Sequence, residues 1–267
     1  MIYDLQKASF LKRISAFLLD FILMVILVTG FMWILSAATG YDQYSETLST
    51  KKEEIQISYG IPAIEEEYEV TVEKFASMTE EERNALPVEV QNTLMDCINE
   101  INSDKEILAA YSITANLILL MISLSLLFSH IILEFLVPLL FKNGQTLGKK
   151  VFALAVMRVD GVRITAPVLF VRSILGKYTV EAMIPIMILL MIFFGGGSII
   201  TLAVLVLIVA FELILLIFTK TNSMIHDILS STVVVDLQSQ MIFDSVEAKK
   251  EYQLRIHDEE AKNAKYF

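Results

Sequence analysis

The chain of 267 residues is 55% hydrophobic and only 19% charged, yet its formal net charge is -10. This combination indicates that apolar and charged residues lie in separate blocks, as in a membrane protein, and argues against a soluble globular protein. The acidic balance also argues against a nucleic-acid partner. A single cysteine excludes an intrachain disulfide and a cysteine-based zinc site.

Three apolar runs predict the membrane-spanning helices: residues 14–38, 111–141 and 178–218. About 20 helical residues span the hydrocarbon core of a bilayer, so the first two runs predict one crossing each. The third run is about twice as long as one crossing requires. Its glycines at 195–197 predict a turn between two helices, at 178–194 and 198–218. One long helix on the membrane surface is the less favoured alternative, because the flanks are apolar on every face.

The crossings divide the chain into six segments. They are the N-terminus with the first helix (1–38), an acidic connection (39–110), the second helix (111–141), a basic connection (142–177), the transmembrane hairpin (178–218) and a charged tail (219–267). Most of the 21 basic residues lie in the N-terminus, the basic connection and the tail. By the positive-inside rule, we expect both termini and the basic connection to lie in the cytoplasm of a cell-membrane protein. The basic connection is also expected to contact anionic lipids of the inner leaflet.

The acidic connection is predicted to form a helical insertion outside the cytoplasm. It carries more than half of the 31 acidic residues. Thr79 and Glu82 have the spacing of a capping box, and Pro87 is typical of the first turn of the helix that follows. One interpretation is a solvated helical hairpin that extends the first two membrane helices. The other is a domain that gathers cations or binds a partner, as the acidic runs at 65–67 and 80–82 suggest.

A β-hairpin is predicted within the basic connection, at 156–165, because Asp160 and Gly161 form a favourable two-residue turn between β-prone residues. After it, Thr165 and Pro167 indicate the start of an interfacial helix. Together these elements predict an all-α integral membrane fold. It has four transmembrane helices, a small cytoplasmic β-hairpin and an acidic helical extracytoplasmic insertion.

Ionisable residues within the apolar runs suggest a functional site. A charge at the centre of a bilayer costs about 2.5–3.5 kcal/mol, so a buried carboxylate needs a reason. The helical rise places Asp20, Glu134 and Glu212 at similar depths in the cytoplasmic half, with His130 deeper in the same half. We predict that they line a polar pocket that relays protons or ions, with Arg13 and Arg172 at its rim. The alternative is that these groups only hold the helices together. Glu181 is interpreted as interfacial.

His226 and Asp227 are adjacent in the sequence, just after the last crossing. One interpretation is a histidine at the C-terminus of a helix, followed by an aspartate that caps the next turn. The other is a cytoplasmic gate that pairs with Lys149, Lys150 or Arg13.

Three sequence blocks resemble the RDD family of membrane proteins, which is named for one arginine and two aspartates. The blocks are RISAFLLD at 13–20, GQTLGKK at 144–150 and HDILSSTVVV at 226–235. The resemblance implies the four-helix architecture and identifies Asp227 as the second aspartate, after Asp20. Some members of the family are associated with sodium–proton antiport, so it also implies that activity as an expectation.

No HExxH, nucleophile-elbow, P-loop or Rossmann glycine pattern occurs in the sequence, so we expect neither an enzyme nor a metal or cofactor site. The leading hypothesis is a small proton-coupled or sodium–proton-type ion transporter. We expect a homo-oligomer, because four helices are few for a solitary transport pathway. The alternative is a non-transporting membrane scaffold or sensor, whose protein partner binds the segment 39–110 or the tail 237–267.

Overall fold

The protein is mainly helical in the computed structural model, which describes residues 5–193, 197–219 and 221–264. In chain order the α-helices are α1 (Phe10–Thr39), α2 (Tyr41–Ser58), α3 (Ile61–Tyr68), α4 (Val72–Ser77), α5 (Glu80–Asn84), α6 (Val88–Ser103), α7 (Lys105–His130), α8 (Val137–Phe141), α9 (Leu147–Val151), α10 (Ala166–Phe170), α11 (Ile184–Met191), α12 (Ile199–Phe218), α13 (Ile225–Leu229) and α14 (Val246–Ala264). The strands are β1 (Leu154–Arg158) and β2 (Thr232–Asp236).

Four helical segments of the described chain are long and apolar enough to cross a membrane, which confirms this part of the predicted fold class. We call them spans 1 to 4: Phe10–Thr39, Lys105–Phe141, Ala166–Met191 and Ile199–Phe218. Span 3 begins at Ala166, so the predicted interfacial helix and the third crossing form one continuous helical segment. Of the predicted turn at 195–197, Gly195 and Gly196 lie outside the described residues. A Cβ on Gly197 would lie 2.7 Å from Ile192 Cα, so the chain folds back closely before α12.

Spans 2 and 3 both contain a π-helical stretch, Ile131–Leu136 in span 2 and Val171–Met183 in span 3. Each stretch is followed within two residues by a proline, Pro138 or Pro185. Proline has no N–H to donate to the carbonyl group four residues earlier, which favours a wider turn. These carbonyl groups belong to Glu134 and Glu181. The sequence thus places one acidic residue of each span at a widened turn.

The two strands pair with one another, antiparallel, from Leu154 opposite Asp236 to Arg158 opposite Thr232. The predicted hairpin at 156–165 is therefore wrong, because β1 pairs with β2 and not with the segment after the turn. The turn at Asp160–Gly161 keeps a single bridge, between Met157 and Arg163. The reason is burial: both faces of β1 are apolar and covered, so β1 needs a partner that is also apolar on both faces. The valines of β2 meet this requirement, whereas the short segment after the turn carries an arginine.

Residues 32–122 form a compact unit with its own apolar core. Phe75, Leu94 and Cys97 are almost fully buried there. The capping box of Thr79 and Glu82 is present at the start of α5. The first half of the acidic connection is also helical, as α2 and α3, although the local helix signals in the sequence come only from its second half. Their packing side chains are widely spaced on otherwise polar helices, so the apolar pattern is weak.

The core of this unit gives a direct test of its packing. Leu94→Ala should destabilise the unit by about 2–5 kcal/mol, because Leu94 is fully buried and its removal leaves a cavity. Cys97, the only cysteine of the chain, is buried in the same core and reports opening of the unit through thiol labelling. In the full-length protein, Leu94→Ala should accelerate labelling about 30-fold or more. Met95→Ala is the matched control, since its side chain is exposed on the same helix. Equal labelling rates in the two variants would contradict the packing described.

Candidate functional site

Asp20 of span 1 is held by the first turn of α9 and by the residue that caps it. The Gly148 N–H donates to Asp20 Oδ1 at 2.7 Å, and the Thr146 hydroxyl donates to Asp20 Oδ2. Thr146 also caps α9, since its Oγ1 accepts from the Lys149 N–H at 3.3 Å. Asp20, Thr146 and Gly148 are all at least nine-tenths buried. We call these residues, together with Lys149, the Asp20 cluster.

Gly148 is required for this contact, because a Cβ at that position would collide with the Ala16 carbonyl oxygen and the Asp20 carboxyl group. The absence of a side chain lets the backbone of α9 lie directly against span 1. The sequence block GQTLGK thus supplies a hydroxyl group, a backbone N–H and a close approach, each directed at Asp20.

Lys149 is a buried cation of the same cluster. Its Nζ lies 3.3 Å from Thr146 Oγ1 and forms no ion pair within 4.0 Å in the described part of the chain. Burial, together with the positive charge of Lys177, lowers the pKa of Lys149 to about 8, although Glu134 and Asp20 act in the opposite direction. Lys149 is therefore a group that can exchange a proton close to neutral pH.

Glu134 of span 2 pairs with Lys177 of span 3, whose Nζ lies 2.6 Å from Glu134 Oε1. Both side chains are mostly buried, so this ion pair joins the two spans across their π-helical stretches. His130, one turn earlier in span 2, contacts Tyr178 edge-on at 5.5 Å between ring centroids. Its Nδ1 lies 2.8 Å from the Leu126 carbonyl oxygen. His130 therefore packs beside the ion pair without joining it.

Asp227 is the centre of a second group of buried charges. It forms an ion pair with Arg172 of span 3, and its Oδ2 lies 3.6 Å from Nη2 of Arg13 in span 1. Arg172 also donates to the Thr232 hydroxyl group. Burial alone would raise the pKa of Asp227, but the positive charges of Arg172 and Arg13 hold it well below its usual range. We call Arg13, Arg172, His226, Asp227 and Thr232 the Asp227 cluster.

His226 connects this cluster to Glu181. Its Nε2 lies 3.1 Å from Arg172 Nη2, and its Nδ1 lies 2.7 Å from Glu181 Oε2. Because arginine can only donate, Nε2 accepts and Nδ1 carries the hydrogen that is donated to Glu181. Burial lowers the pKa of His226 despite the nearby acids, which agrees with a neutral ring. Gly176 permits the contact, since a Cβ there would lie 2.6 Å from His226 Cβ.

Glu212 is the only charged residue of span 4. Its Oε1 is buried and has no hydrogen-bond partner among the described residues. Glu181 is close enough to act on it electrostatically. A buried carboxylate oxygen without a donor is unusual in a folded protein and calls for an explanation.

The sequence analysis predicted one pocket for four ionisable residues. In the structure these residues have separate surroundings. Among the described residues, Asp20, His130, Glu134 and Glu212 share no hydrogen bond or ion pair with one another; each has its own surroundings. Of the rim and gate candidates, Arg13, Arg172 and His226 all lie around Asp227, whereas Lys149 belongs to the Asp20 cluster.

The sequence analysis missed Lys177 and Thr146 and interpreted Glu181 as interfacial. The side chain of Glu181 is only 11% exposed, because it bonds to both the ring and the backbone N–H of His226. One signal was present in the sequence: Glu181 precedes Pro185 by four residues, as Glu134 precedes Pro138.

Four apolar spans, with buried ion pairs between some of them and the short connecting elements, define a multi-pass membrane protein. The sequence profile of the RDD family matches residues 7–231, and the chain belongs to this family. No curated protein and no solved structure matches the chain. The three sequence blocks of the family resemblance supply most of both clusters: the first contributes Arg13 and Asp20, the second the loop around Asp20, and the third His226, Asp227 and Thr232.

Gly148→Ala tests the packing of α9 on span 1. The added Cβ would meet backbone and a buried carboxyl group, neither of which can move freely, so we expect a loss of about 1–3 kcal/mol or more. Unfolding temperature and the monodisperse fraction in detergent measure this loss. Gly30→Ala in span 1 is the control, because a Cβ there meets no atom within 4 Å. Equal behaviour of the two variants would rule out the close approach.

Lys149 should make the stability of the protein depend on pH. The folded chain releases this proton at about pH 8 and the unfolded chain at about 10.5, so the unfolded state binds more protons between these values. Stability contributed by this group therefore rises from pH 8 to 10.5, by about 3 kcal/mol at most. In Lys149→Met this contribution is absent, so its unfolding temperature should rise less with pH than that of the wild type. Lys150→Met, which alters the adjacent exposed lysine, should follow the wild type. Parallel curves for wild type and Lys149→Met would disprove the assignment.

Proposed function

We propose that this protein is a small proton-coupled or sodium–proton-type ion transporter. Buried ionisable residues in a membrane-spanning segment are costly, and in membrane proteins they commonly belong to ion paths and proton relays. Each of the four spans carries at least one ionisable residue within its apolar segment: Asp20, Glu134, Glu181 and the half-buried Glu212. Among them, the unpartnered Oε1 of Glu212 is the observation that carries the proposal.

The surroundings of Glu212 favour an exchangeable proton or a bound cation there. The other three carboxylates have protein donors: Asp20 from the loop around Thr146, Glu134 from Lys177 and Glu181 from His226. Glu212 lies in a span with no other charged side chain. A proton or a small cation on Glu212 would supply the missing partner and would neutralise the charge inside the membrane.

A route from Glu212 toward the water phase follows from the contacts of Glu181. This carboxylate accepts the Nδ1–H of His226, and the neutral ring accepts from Arg172 through Nε2. A histidine in this arrangement can pass a proton by gaining one at one nitrogen and losing one at the other. In this scheme Asp227, Arg13 and Arg172 form the gate, since their ion pairs hold His226 in place.

Asp20, His130, Glu134 and Lys149 form the second part of the proposed relay. Lys149 is the basic group of this part, and burial lowers its pKa to about 8 although the nearby acids act in the opposite direction. Glu134 can release Lys177 only if its own charge is neutralised, which couples protonation to the contact between spans 2 and 3.

The same proposal includes the setting in which the protein would work. Both termini and the basic connection would lie in the cytoplasm of a cell membrane, in agreement with the positive-inside rule. The site would function in a homo-oligomer. Within the described chain no residue of span 4 is buried, so its apolar surface is available to lipid or to another copy.

Ion flux in proteoliposomes tests the transport proposal. The full-length protein, reconstituted with a pH-sensitive dye inside the vesicles, should move protons when a sodium or potassium gradient is applied. Glu212→Gln keeps the shape of the side chain but removes the titratable oxygen, so we expect the flux to fall about tenfold or more. Glu106→Gln is the matched control, because its carboxylate belongs to span 2 but its side chain is 69% exposed. Its flux should stay close to that of the wild type.

Two results would contradict this assignment. Equal flux in Glu212→Gln and in the wild type would remove Glu212 from the path. No flux above that of protein-free vesicles, in wild-type protein that elutes as a single folded species, would overturn transport altogether.

A non-transporting scaffold or sensor is the second candidate function. The specific observation in its favour is the unit at 32–122, which has its own core and exposes the acidic runs at 65–67 and 80–82. The tail helix α14 also exposes most of its side chains. A stoichiometric protein partner recovered by crosslinking to either segment, together with the absence of flux in pure protein, would favour this function over transport.

A further inference from the structure

A small cavity lies beside the ends of two candidate spans, outside the charge clusters. Its volume is about 220 Å³, and it is lined by Pro138, Leu139, Lys142, Arg163, Ile164 and Leu169. Span 2 ends at Phe141 and span 3 begins at Ala166, so these residues mark the place where both spans leave the apolar layer. The cavity therefore lies where lipid headgroups would meet the protein.

The lining of this cavity divides into an apolar part and a basic part. Pro138 and Leu169 are buried and Ile164 is half-buried, which gives the cavity an apolar wall continuous with the ends of the spans. Lys142 and Arg163 are its two charged residues, and both are cationic. A ligand that fits both parts carries a negative head and an apolar body.

Both cations keep donors that the protein itself does not use. Lys142 is exposed, and its ammonium group forms no ion pair or hydrogen bond with the described residues. Arg163 has a buried Nε without a hydrogen-bond partner among those residues. The rest of the Arg163 side chain is partly exposed, at 39%, so an anion in the cavity can approach the guanidinium group and offset part of the cost of its unpaired N–H.

Arg163 has one internal partner, Asp244, which follows β2 in the tail. Its Nη1 lies 3.0 Å from Asp244 Oδ1, and the carboxylate side chain is 76% exposed. Because water screens an exposed pair strongly, this contact is weak and leaves Nε and Lys142 unsatisfied. An anion with several acceptor oxygens can bind to both cations, which a single carboxylate at this position does not do.

We propose that this cavity binds the phosphate headgroup of an anionic phospholipid, with the glycerol and the first acyl carbons against Pro138, Ile164 and Leu169. Basic pockets next to membrane helices recognise such headgroups through lysine and arginine. The observations also suit the phosphate group of a small soluble molecule, which shares the same oxygens. The position of the cavity at the end of two spans favours the lipid. This site is independent of the transport proposal and does not require that the protein moves ions.

Native mass spectrometry of the full-length protein in a neutral detergent tests the site. We expect phosphatidylglycerol to bind more tightly than phosphatidylcholine, because only the former carries a net negative charge. Lys142→Gln/Arg163→Gln should weaken phosphatidylglycerol binding about 25-fold, at roughly fivefold for each cation. Arg158→Gln is the matched control. Arg158 and Arg163 have side chains that are equally exposed, at 39%, and each pairs with an aspartate, but Arg158 does not line the cavity. Its binding should equal that of the wild type.

Further variants and a soluble ligand separate the possible outcomes. Lys142→Arg/Arg163→Lys keeps both charges and should retain most of the binding. Lys142→Gln alone should reduce binding even if the double variant folds poorly, since the Lys142 side chain makes no internal polar contact. Equal affinities of Arg158→Gln and of the double variant would overturn the site. Displacement of phosphatidylglycerol by glycerol 3-phosphate at similar concentrations would overturn the lipid assignment and identify a soluble phosphate site.

Discussion

The ion pair between Arg172 and Asp227 is the contact on which the arrangement of the spans depends. An uncompensated charge in a buried, low-dielectric setting costs far more than a hydrogen bond, so each buried arginine requires its acid and each acid its donors. The carboxylate of Asp227 forms ion pairs with Arg13 of span 1 and Arg172 of span 3. The short helix α13 carries that carboxylate, and His226 beside it binds Glu181. One carboxylate thereby connects three parts of the chain that are far apart in sequence.

In spans 2 and 3, the need to pair buried acidic residues is connected with the geometry of the backbone. Glu134 and Glu181 each precede a proline by four residues and lie in a π-helical stretch. A wider turn changes the direction of the side chains that follow it, and such turns occur often at functional sites. Lys177, which pairs with Glu134, lies in the stretch that also contains Glu181. The π-helical stretches therefore contain the same residues that form the buried ion pairs of these spans.

Much of the fold followed from pattern alone. Continuous apolar runs identify spans because the bilayer requires about 20 apolar helical residues, whatever the partners are. The capping box at Thr79 is local in the same sense. The β-hairpin prediction failed because the partner of β1 is more than 70 residues away in the sequence, and a favourable turn at Asp160 carries no information about a distant strand. The packing residues of α2 are few and widely spaced, so a polar helix there gave only a weak signal.

The candidate site separates more clearly what a local sequence pattern predicts from what contacts between distant segments decide. Residue type and depth in the sequence were enough to single out Asp20, Glu134 and Glu212, because a charge in an apolar setting is conspicuous without any structure. Asp227 was singled out by its position beside His226 and by the family resemblance. Their partners were not determined in this way: Thr146, Lys177 and His226 reach their acids only after helices from different parts of the chain have packed. Sequence determines which groups cannot remain unpaired in a membrane protein. The tertiary structure alone decides which partner each one finds, because that choice depends on distances between segments that no local pattern encodes.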